Sequence, residues 1–157
     1  QNGVRQGFGS QTFPSEGETY IGQWSHNMQH GDGRLMQSDG QCKYEGQWKG
    51  GQMYGEGVLA SDGFVYKGIL EAGKRHGAGC CNFDGGDTYD GQWSRDVFHG
   101  QGFFRAGASR HAGNRFLEEY TGNWSHGKRH GQGIWKDGKG NTYKGQFVDG
   151  VLDGEGE

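Results

Sequence analysis

The chain repeats one short pattern along almost its whole length, and this repeat restricts its fold more than any other feature. The stretches YEGQWKGGQMYGEG from Tyr44, YTGNWSHGKRHGQG from Tyr120 and YKGQFVDGVLDGEG from Tyr143 are variants of one another. With each tyrosine counted as position 1, copies start at residues 20, 44, 66, 89, 120 and 143, at spacings of 24, 22, 23, 31 and 23 residues. A near-constant period in this range is typical of a repeat array. A half repeat, residues 2–19, precedes the first tyrosine, so we assign residues 1–157 to one array.

The first five positions of each copy alternate as the residues of a β-strand do. Position 1 is tyrosine and position 3 is glycine in all six copies, whereas position 5 is Trp24, Trp48, Leu70, Trp93, Trp124 or Phe147. Because side chains on a strand point alternately to its two faces, positions 1 and 5 share one face. The other face is polar, with glutamine or asparagine at position 4 in five of the six copies. This period of two predicts strands and argues against helices.

Positions 7 and 8 predict a hairpin turn. Position 8 is always glycine, asparagine or aspartate, which tolerate the positive φ of a type I′ turn. Such a turn would pair position 6 with 9, 3 with 12 and 1 with 14, and each tyrosine ring would lie over a glycine of the opposite strand. The same register pairs position 4 with position 11, as Gln23 with His30, Gln92 with His99, and Asn123 with His130. We therefore predict an all-β fold, an elongated, twisted, single-layer antiparallel sheet built from tandem hairpins.

Composition and charge narrow the functional classes. With 35 glycines and only 30% hydrophobic residues the chain would suggest disorder, but the glycines are periodic and aromatic residues reach 13%. A net charge of −3 gives no general basic footprint, so we expect no nucleic-acid partner. Three cysteines without a CxxC pair fit a reducing, cytoplasmic compartment. Since the chain begins without methionine and ends within the pattern, we expect it to be a piece of a longer protein.

The consensus YxGxWxxGxxHGxG resembles the MORN repeat, the membrane occupation and recognition nexus. Six copies and the half copy carry it, with departures at Leu70 and Phe147 in position 5 and at Tyr54 and Asp153 in position 11. The fourth copy is longer by eight residues, and we expect Arg105 to Glu118 to form a protruding loop. The resemblance implies a non-catalytic scaffold that is associated with the cytoskeleton or a membrane. Two alternatives stay open: a peripheral phospholipid-binding module, and a regulatory or targeting segment of a larger enzyme.

The aromatic face is the predicted partner-binding site, because large apolar patches and exposed tryptophans mark interfaces. In the alternative interpretation the rings cover only the glycines and each other, and both interpretations can hold at once. We also expect self-association through a terminal repeat, as a homodimer, because neither end carries a polar capping repeat. The predicted face comprises Tyr20, Trp24, Tyr44, Trp48, Tyr66, Tyr89, Trp93, Tyr120, Trp124, Tyr143 and Phe147.

Other candidate sites are weaker. The sequence GKRHG occurs twice and places Lys74, Arg75, Lys128 and Arg129 beside turns, a candidate basic patch for anionic lipid headgroups. The residues His76, Cys80 and Cys81 are weak candidates for a zinc site at a subunit contact. The GxG motifs do not lead into a helix, so a phosphate-binding loop is not expected. No set of residues in the pattern of a catalytic centre stands out, and we predict neither enzymatic activity nor a cofactor.

Overall fold

The computed structural model describes residues 3–107 and 118–154, and strands joined by turns account for its regular structure, with no helix in these ranges. The predicted all-β, antiparallel fold of tandem hairpins is confirmed. Of the loop predicted from Arg105 to Glu118, residues 108–117 lie outside the described ranges. The strands are β1 Gly7–Phe13, β2 Glu18–Ser25, β3 Met28–Gln37, β4 Cys42–Lys49, β5 Gln52–Ser61, β6 Phe64–Glu71, β7 Lys74–Phe83, β8 Thr88–Ser94, β9 Val97–Arg105, β10 Glu119–Ser125, β11 Lys128–Lys136, β12 Thr142–Val148 and β13 Val151–Asp153.

Two compact units make up the chain, residues 1–74 and 75–157. In the first unit, β1 to β6 lie side by side in chain order, and each pairs antiparallel with the next. In the second unit, β7 to β13 follow the same rule. A strand order equal to the chain order is the expected result of tandem hairpins, because each repeat pairs with the one before it.

The turn at positions 7 and 8 has the predicted form. Both residues have positive φ, for example His26 at 49° and Asn27 at 68°. The backbone NH of position 8 donates to the carbonyl of position 10 in the preceding repeat, from Asn27 to Arg5 at 3.1 Å and from Asp96 to Arg75 at 3.0 Å. The side-chain oxygens of Asn27 and Asp96 accept from the NH groups of the same two arginines, at 2.7 and 2.9 Å. Position 8 therefore both forms the turn and ties each hairpin to the previous one.

Beyond the turn, the predicted register is wrong. Ser25 pairs with Met28, as predicted for positions 6 and 9, but Gly22 pairs with Gly33, so position 3 lies opposite position 14 and not position 12. A bulge at position 12 shifts the ladder, because the glycine there, Gly31 in the first copy, has a φ of 62°. Glycine is the residue that adopts this backbone conformation without strain. The glycine of position 12 is thus needed for its backbone angle, and not to lie under a ring.

The bulge explains the amide side chain of position 4. The Gln47 Oε1 atom accepts from the backbone NH of Glu56 at 3.2 Å, and Gln92 Oε1 accepts from the NH of Gln101 at 3.3 Å. These side chains satisfy backbone groups that the interrupted ladder leaves without a strand partner. Of the three predicted pairs between positions 4 and 11, Gln92 with His99 is a ladder pair. The pairs Gln23 with His30 and Asn123 with His130 are wrong, because in those copies both positions fall within the register shift.

The glycines of positions 3 and 14 leave room for the tyrosine ring. A Cβ atom on Gly33 would lie 2.3 Å from Tyr20 Oη, and one on Gly22 would lie 2.4 Å from the same atom. Real Cβ atoms do not approach other atoms so closely, so a larger residue at either position would displace the ring. The predicted contact of tyrosine with glycine is confirmed, although the ring reaches position 14 diagonally, since Tyr20 itself pairs with Leu35.

Candidate interaction surfaces

The aromatic side chains of the predicted partner-binding face pack edge to face against each other. In the first unit, Tyr20 lies between Trp24 and Trp48, with ring centroids 5.2 and 5.0 Å away. In the second unit, Tyr120 lies between Trp124 and Phe147, at 5.1 and 5.0 Å. Each of these tyrosines is therefore held between the position 5 ring of its own repeat and that of the next repeat. Such pairs contribute about 0.5–1.5 kcal/mol each beyond the area that they bury.

This packing buries the face almost completely. Tyr20, Tyr44, Tyr66, Tyr89, Tyr120 and Phe147 have no exposed surface, and the four tryptophans of the predicted site are 3–7% exposed. Tyr143 is half-buried. These contacts are those of the alternative interpretation, in which the rings cover the glycines and each other. Binding of a partner at this face stays a prediction, and a partner would first meet the edges of the rings.

Polar atoms of the rings are bonded to the backbone. The Tyr20 and Tyr44 hydroxyls each donate to the carbonyl of position 4 in their own repeat, Gln23 and Gln47, at 2.8 Å. Burial raises the pKa of Tyr20 and of Tyr44 to about 12, because the phenolate would lose its hydration. Burial also raises the pKa of Tyr89. Tyr20, Tyr44 and Tyr89 are thus neutral hydrogen-bond donors at physiological pH.

The tryptophan indoles connect neighbouring repeats. Trp48 Nε1 donates to the carbonyl of Gly33 at 3.1 Å, and Trp93 Nε1 donates to that of Gly79 at 2.9 Å. In both cases the acceptor is the position 14 glycine of the preceding repeat. A bulkier residue there would hinder the tyrosine on the same glycine, so positions 1, 5 and 14 form one packing unit. Buried tryptophan is well placed when its NH finds such an acceptor.

Position 10 covers this packing unit from outside. In the second unit, the Arg75 guanidinium lies 4.3 Å from the centroid of Trp93, and the Phe98 ring stacks on Tyr89 at 3.8 Å with an interplanar angle of 9°. In the first unit, Arg5 lies 4.4 Å from the Trp24 centroid. Sequence reasoning missed this second cover, because position 10 changes from copy to copy. Its residues are Arg5, Gln29, Met53, Arg75, Phe98, Arg129 and Leu152.

The candidate basic patch divides into two kinds of residue. Arg75 forms an ion pair with Asp96 at 3.1 Å, and Arg129 forms one with Glu118 and lies over the Tyr120 ring. Both arginines are therefore engaged on the aromatic face. Lys74 and Lys128, at position 9, are exposed. Because neighbouring residues of a strand point to opposite faces, the lysines and the arginines do not form one surface.

The face opposite the aromatic rings, here called the second face, carries exposed apolar side chains. In the first unit, Phe8 is 79% exposed and Ile21 is 38% exposed. Together with Asp32, Arg34 and Glu45 they line an open depression of about 390 Å³. The Arg34 guanidinium and the Glu45 carboxylate form an ion pair of 2.6 Å at its edge. The prediction that this face is polar is therefore wrong at Phe8 and Ile21.

The weak zinc candidates do not converge on one point. Cys80 is exposed and Cys81 is buried, because the two neighbours on β7 point to opposite faces. The Cys81 thiol accepts from Arg75 Nη1 at 3.7 Å, and burial raises its pKa. Within residues 3–107 and 118–154, no three His, Cys, Asp or Glu side chains are placed to hold a metal ion together. His76 is therefore not part of such a group.

Comparison with known proteins now identifies the repeat. A family model described as MORN repeat matches residues 1–18, 20–42, 44–63, 66–88, 89–106, 120–142 and 143–157. The chain belongs to the MORN repeat family. The six matches that follow the half repeat begin at the tyrosines of position 1, so the MORN unit coincides with one strand pair and the connection that follows it.

One relative is itself a MORN protein. The MORN repeat-containing protein 3 of Xenopus laevis is 30% identical over 82 residues, which cover 48% of this chain and 34% of that protein. The chain thus spans about a third of the length of this relative. In the part of the chain that the structure describes, no helix has the length and apolar character to cross a bilayer.

Proposed function

We propose that this MORN array is a non-catalytic scaffold that binds a partner protein, with the second face of the first unit as the contact surface. The depression lined by Phe8 and Ile21 supports this, because an aromatic ring that is 79% exposed is unusual on a face with no role in the core. The rings of the aromatic face, in contrast, are buried because they pack one repeat against the next. The open apolar surface of this unit therefore lies on the side that the repeat pattern does not use.

The lining of the depression suggests the chemistry of the partner. Phe8 and Ile21 form an apolar floor, and Asp32, Arg34 and Glu45 stand around it. Such an arrangement suits an apolar anchor side chain that is flanked by polar or charged residues, with a dry centre and a hydrated rim. The ion pair between Arg34 and Glu45 is exposed, so its rearrangement on binding costs little.

Proximity labelling tests this surface in cells that express the full-length protein. We expect Phe8→Ser with Ile21→Ser to lower the recovery of a partner about tenfold or more, as the loss of one or two anchors does. The matched control is Val65→Ser with Ile69→Ser, two residues of the same unit with 47% and 38% exposure that do not line the depression. Circular dichroism must show that both variants are folded. Equal recovery in both would overturn the proposal.

The aromatic face is the competing surface for a protein partner. Alanine at Trp93 or Trp124 should weaken binding by roughly 2 kcal/mol or more if these rings are anchors. Because both rings are buried, the same changes should also lower the stability of the second unit. If binding is lost while the fold is retained, the partner contacts the aromatic face and not the second face.

Self-association is part of the proposal. Among the described residues β1 pairs only with β2 and β13 only with β12, so each has an edge on which a strand of a second copy can pair. We expect a two-fold dimer through a terminal repeat. Light scattering over a range of concentrations measures this directly, and a strict monomer at high concentration contradicts it.

A membrane role is the second candidate. The exposed lysines Lys74 and Lys128 favour it, because exposed cations beside turns can meet anionic headgroups. Since Arg75 and Arg129 are engaged in ion pairs, the informative variant is Lys74→Glu with Lys128→Glu. Flotation with phosphoinositide vesicles should weaken with salt and with this variant. Binding that neither affects would exclude an electrostatic mechanism.

In the remaining alternative, this array is a regulatory or targeting segment of a larger enzyme. Its surfaces would then position a catalytic domain that lies elsewhere in the parent protein. The fold does not distinguish these roles, because one scaffold serves many functions. The full-length parent sequence would separate a scaffold from an enzyme segment.

A further inference from the structure

Two histidines of different repeats meet on the surface of the second unit. His99 is position 11 of the fourth copy, on β9, and His126 is position 7 of the fifth copy, in the turn between β10 and β11. Their ring centroids are 6.3 Å apart, with an interplanar angle of 81°. Both side chains are exposed. They line an open depression of about 370 Å³ together with His76, Ser94, Arg95 and Val97.

We propose that His99 and His126 form a surface site for a divalent transition-metal ion of the zinc, nickel or copper class. Imidazole nitrogen is a preferred ligand of these ions. A nitrogen bound at about 2.0–2.1 Å places its ring centroid about 3 Å from the metal, so two tetrahedral imidazole ligands have centroids about 5 Å apart. The observed separation exceeds this by about 1 Å, which small rotations of two exposed rings can close.

Hydrogen bonding favours the required orientation of one ligand. The Ser125 hydroxyl lies 3.0 Å from His126 Nδ1, which leaves Nε2 as the atom that faces away from the bond. A partner on the second nitrogen is the usual way in which proteins orient a metal-binding histidine. The Arg95 side chain on the same depression is exposed and can turn to solvent. Because the described residues include no three-ligand group, water or a buffer molecule would complete the coordination.

The repeat provides an internal control for this site. His26 occupies the same turn position as His126, with φ values of 49° and 51°, and its Nδ1 lies 3.0 Å from Ser25 in the same way. The preceding half repeat, however, has Gln6 at the position equivalent to that of His99. One histidine with the same local geometry is thus present without the second ligand. The site depends on the register between repeats, which sets His99 beside His126.

Titration of the full chain with zinc chloride tests the proposal. Zinc is chosen because it is redox-inert. The background protein that is titrated carries Cys42→Ser and Cys80→Ser, which remove the two thiols that are not buried. Calorimetry and the histidine C–H resonances should show binding of one equivalent at micromolar concentration. We expect His99→Ala and His126→Ala each to weaken it at least tenfold, since one surface histidine alone is a poor ligand, whereas His26→Ala should change it less than twofold.

The outcomes separate cleanly because all three side chains lie at the surface, and because the turn position of His26 and His126 holds alanine in another copy, as Ala72 with a φ of 50°. A rise of the melting temperature with zinc that is abolished in His126→Ala but kept in His26→Ala supports the proposal, since an ion that binds the folded state stabilises it. Absence of binding to the background protein overturns it. An equal loss of affinity in His26→Ala and His126→Ala also overturns it, because binding would then not need the pair.

Discussion

Replacement of Gly33 by alanine should destabilise the first unit through the ring of Tyr20. The added Cβ would lie 2.3 Å from Tyr20 Oη and 2.5 Å from its Cε2. The ring has no exposed surface and is held between Trp24 and Trp48, so it has no free space into which to move. The backbone of Gly33 is not in the left-handed region, so the expected effect is steric and not conformational.

The magnitude follows from what the displaced ring loses. Overpacking of a buried contact costs about 1–3 kcal/mol. Displacement also breaks the 2.8 Å hydrogen bond from the Tyr20 hydroxyl to the Gln23 carbonyl, which costs about 0.5–1.5 kcal/mol. Alanine lowers the conformational entropy of the unfolded chain relative to glycine, which raises the unfolding free energy by about 0.4–1 kcal/mol. The net loss of unfolding free energy should therefore be roughly 2–3 kcal/mol.

Urea unfolding monitored by tryptophan fluorescence measures this loss, and the chain offers a matched control. Gly9 is the position 14 glycine of the half repeat, and its added Cβ would lie 3.6 Å from Trp24 Cδ1, an ordinary contact, with no tyrosine atom within 4 Å. Gly9→Ala should be neutral or slightly stabilising. In a Tyr20→Leu background the cost of Gly33→Ala should shrink, since the ring is absent. If Gly33→Ala and Gly9→Ala unfold at the same urea concentration, the packing of the ring over this glycine does not explain its presence.

Three further predictions concern titration, the turn and the outer cover. Because burial raises the pKa of Tyr20 and Tyr44 from 10.0 to about 12, the unfolded chain loses these protons first as pH rises, and the stability of the first unit should fall between pH 10 and 12. Tyrosinate absorbance and circular dichroism recorded together should show ionisation accompanied by unfolding, and ionisation at the ordinary pKa without unfolding would contradict the burial. Asn27→Ala should cost about 2–3 kcal/mol because it loses the side-chain hydrogen bond and places alanine at a φ of 68°, whereas Asn27→Gly should cost only the hydrogen bond, about 1 kcal/mol. Denaturant titration distinguishes the two, and equal costs would show that the backbone angle is unimportant. Arg75→Met keeps the apolar stem of the side chain but removes the guanidinium, its contact with Trp93 and its ion pair, so the second unit should lose about 1 kcal/mol and the Trp93 emission should shift, whereas unchanged emission would place the guanidinium elsewhere.

The sequence was sufficient for the strands and turns, since both are local. The alternation of positions 1, 3 and 5 predicts the strands, and Asn27 and Asp96 mark turns that need positive φ. The bulge could not be predicted in the same way. Gly31 and Gly33 look equivalent in the sequence, yet the first is required for its backbone angle and the second for the space above it. The sequence shows only a glycine at each position and does not distinguish these two structural roles.

The surfaces were harder to predict because they combine residues from different repeats. Reading one strand at a time left Tyr20 uncovered, whereas Trp48 of the next repeat covers it. Phe8 and Ile21 come from different positions of neighbouring copies, so the repeat pattern does not predict the depression that they line. A prediction of these contacts needs the register between repeats, and the bulge changes that register by two residues.

The division between constant and variable positions locates where partner recognition can arise. Positions 1, 3, 5, 12 and 14 are fixed by ring packing, close backbone approach and the bulge, so a change there alters the fold before it alters binding. Positions 2, 13 and 15 vary from copy to copy and supply side chains of the second face, such as Ile21, Phe8 and Arg34. Related arrays with the same constant positions can therefore bind unlike partners. If so, exchange of these three variable positions between two copies of this chain should move binding from one repeat to another with little change in unfolding free energy. Loss of the fold on such an exchange would mean that the variable positions are also structural.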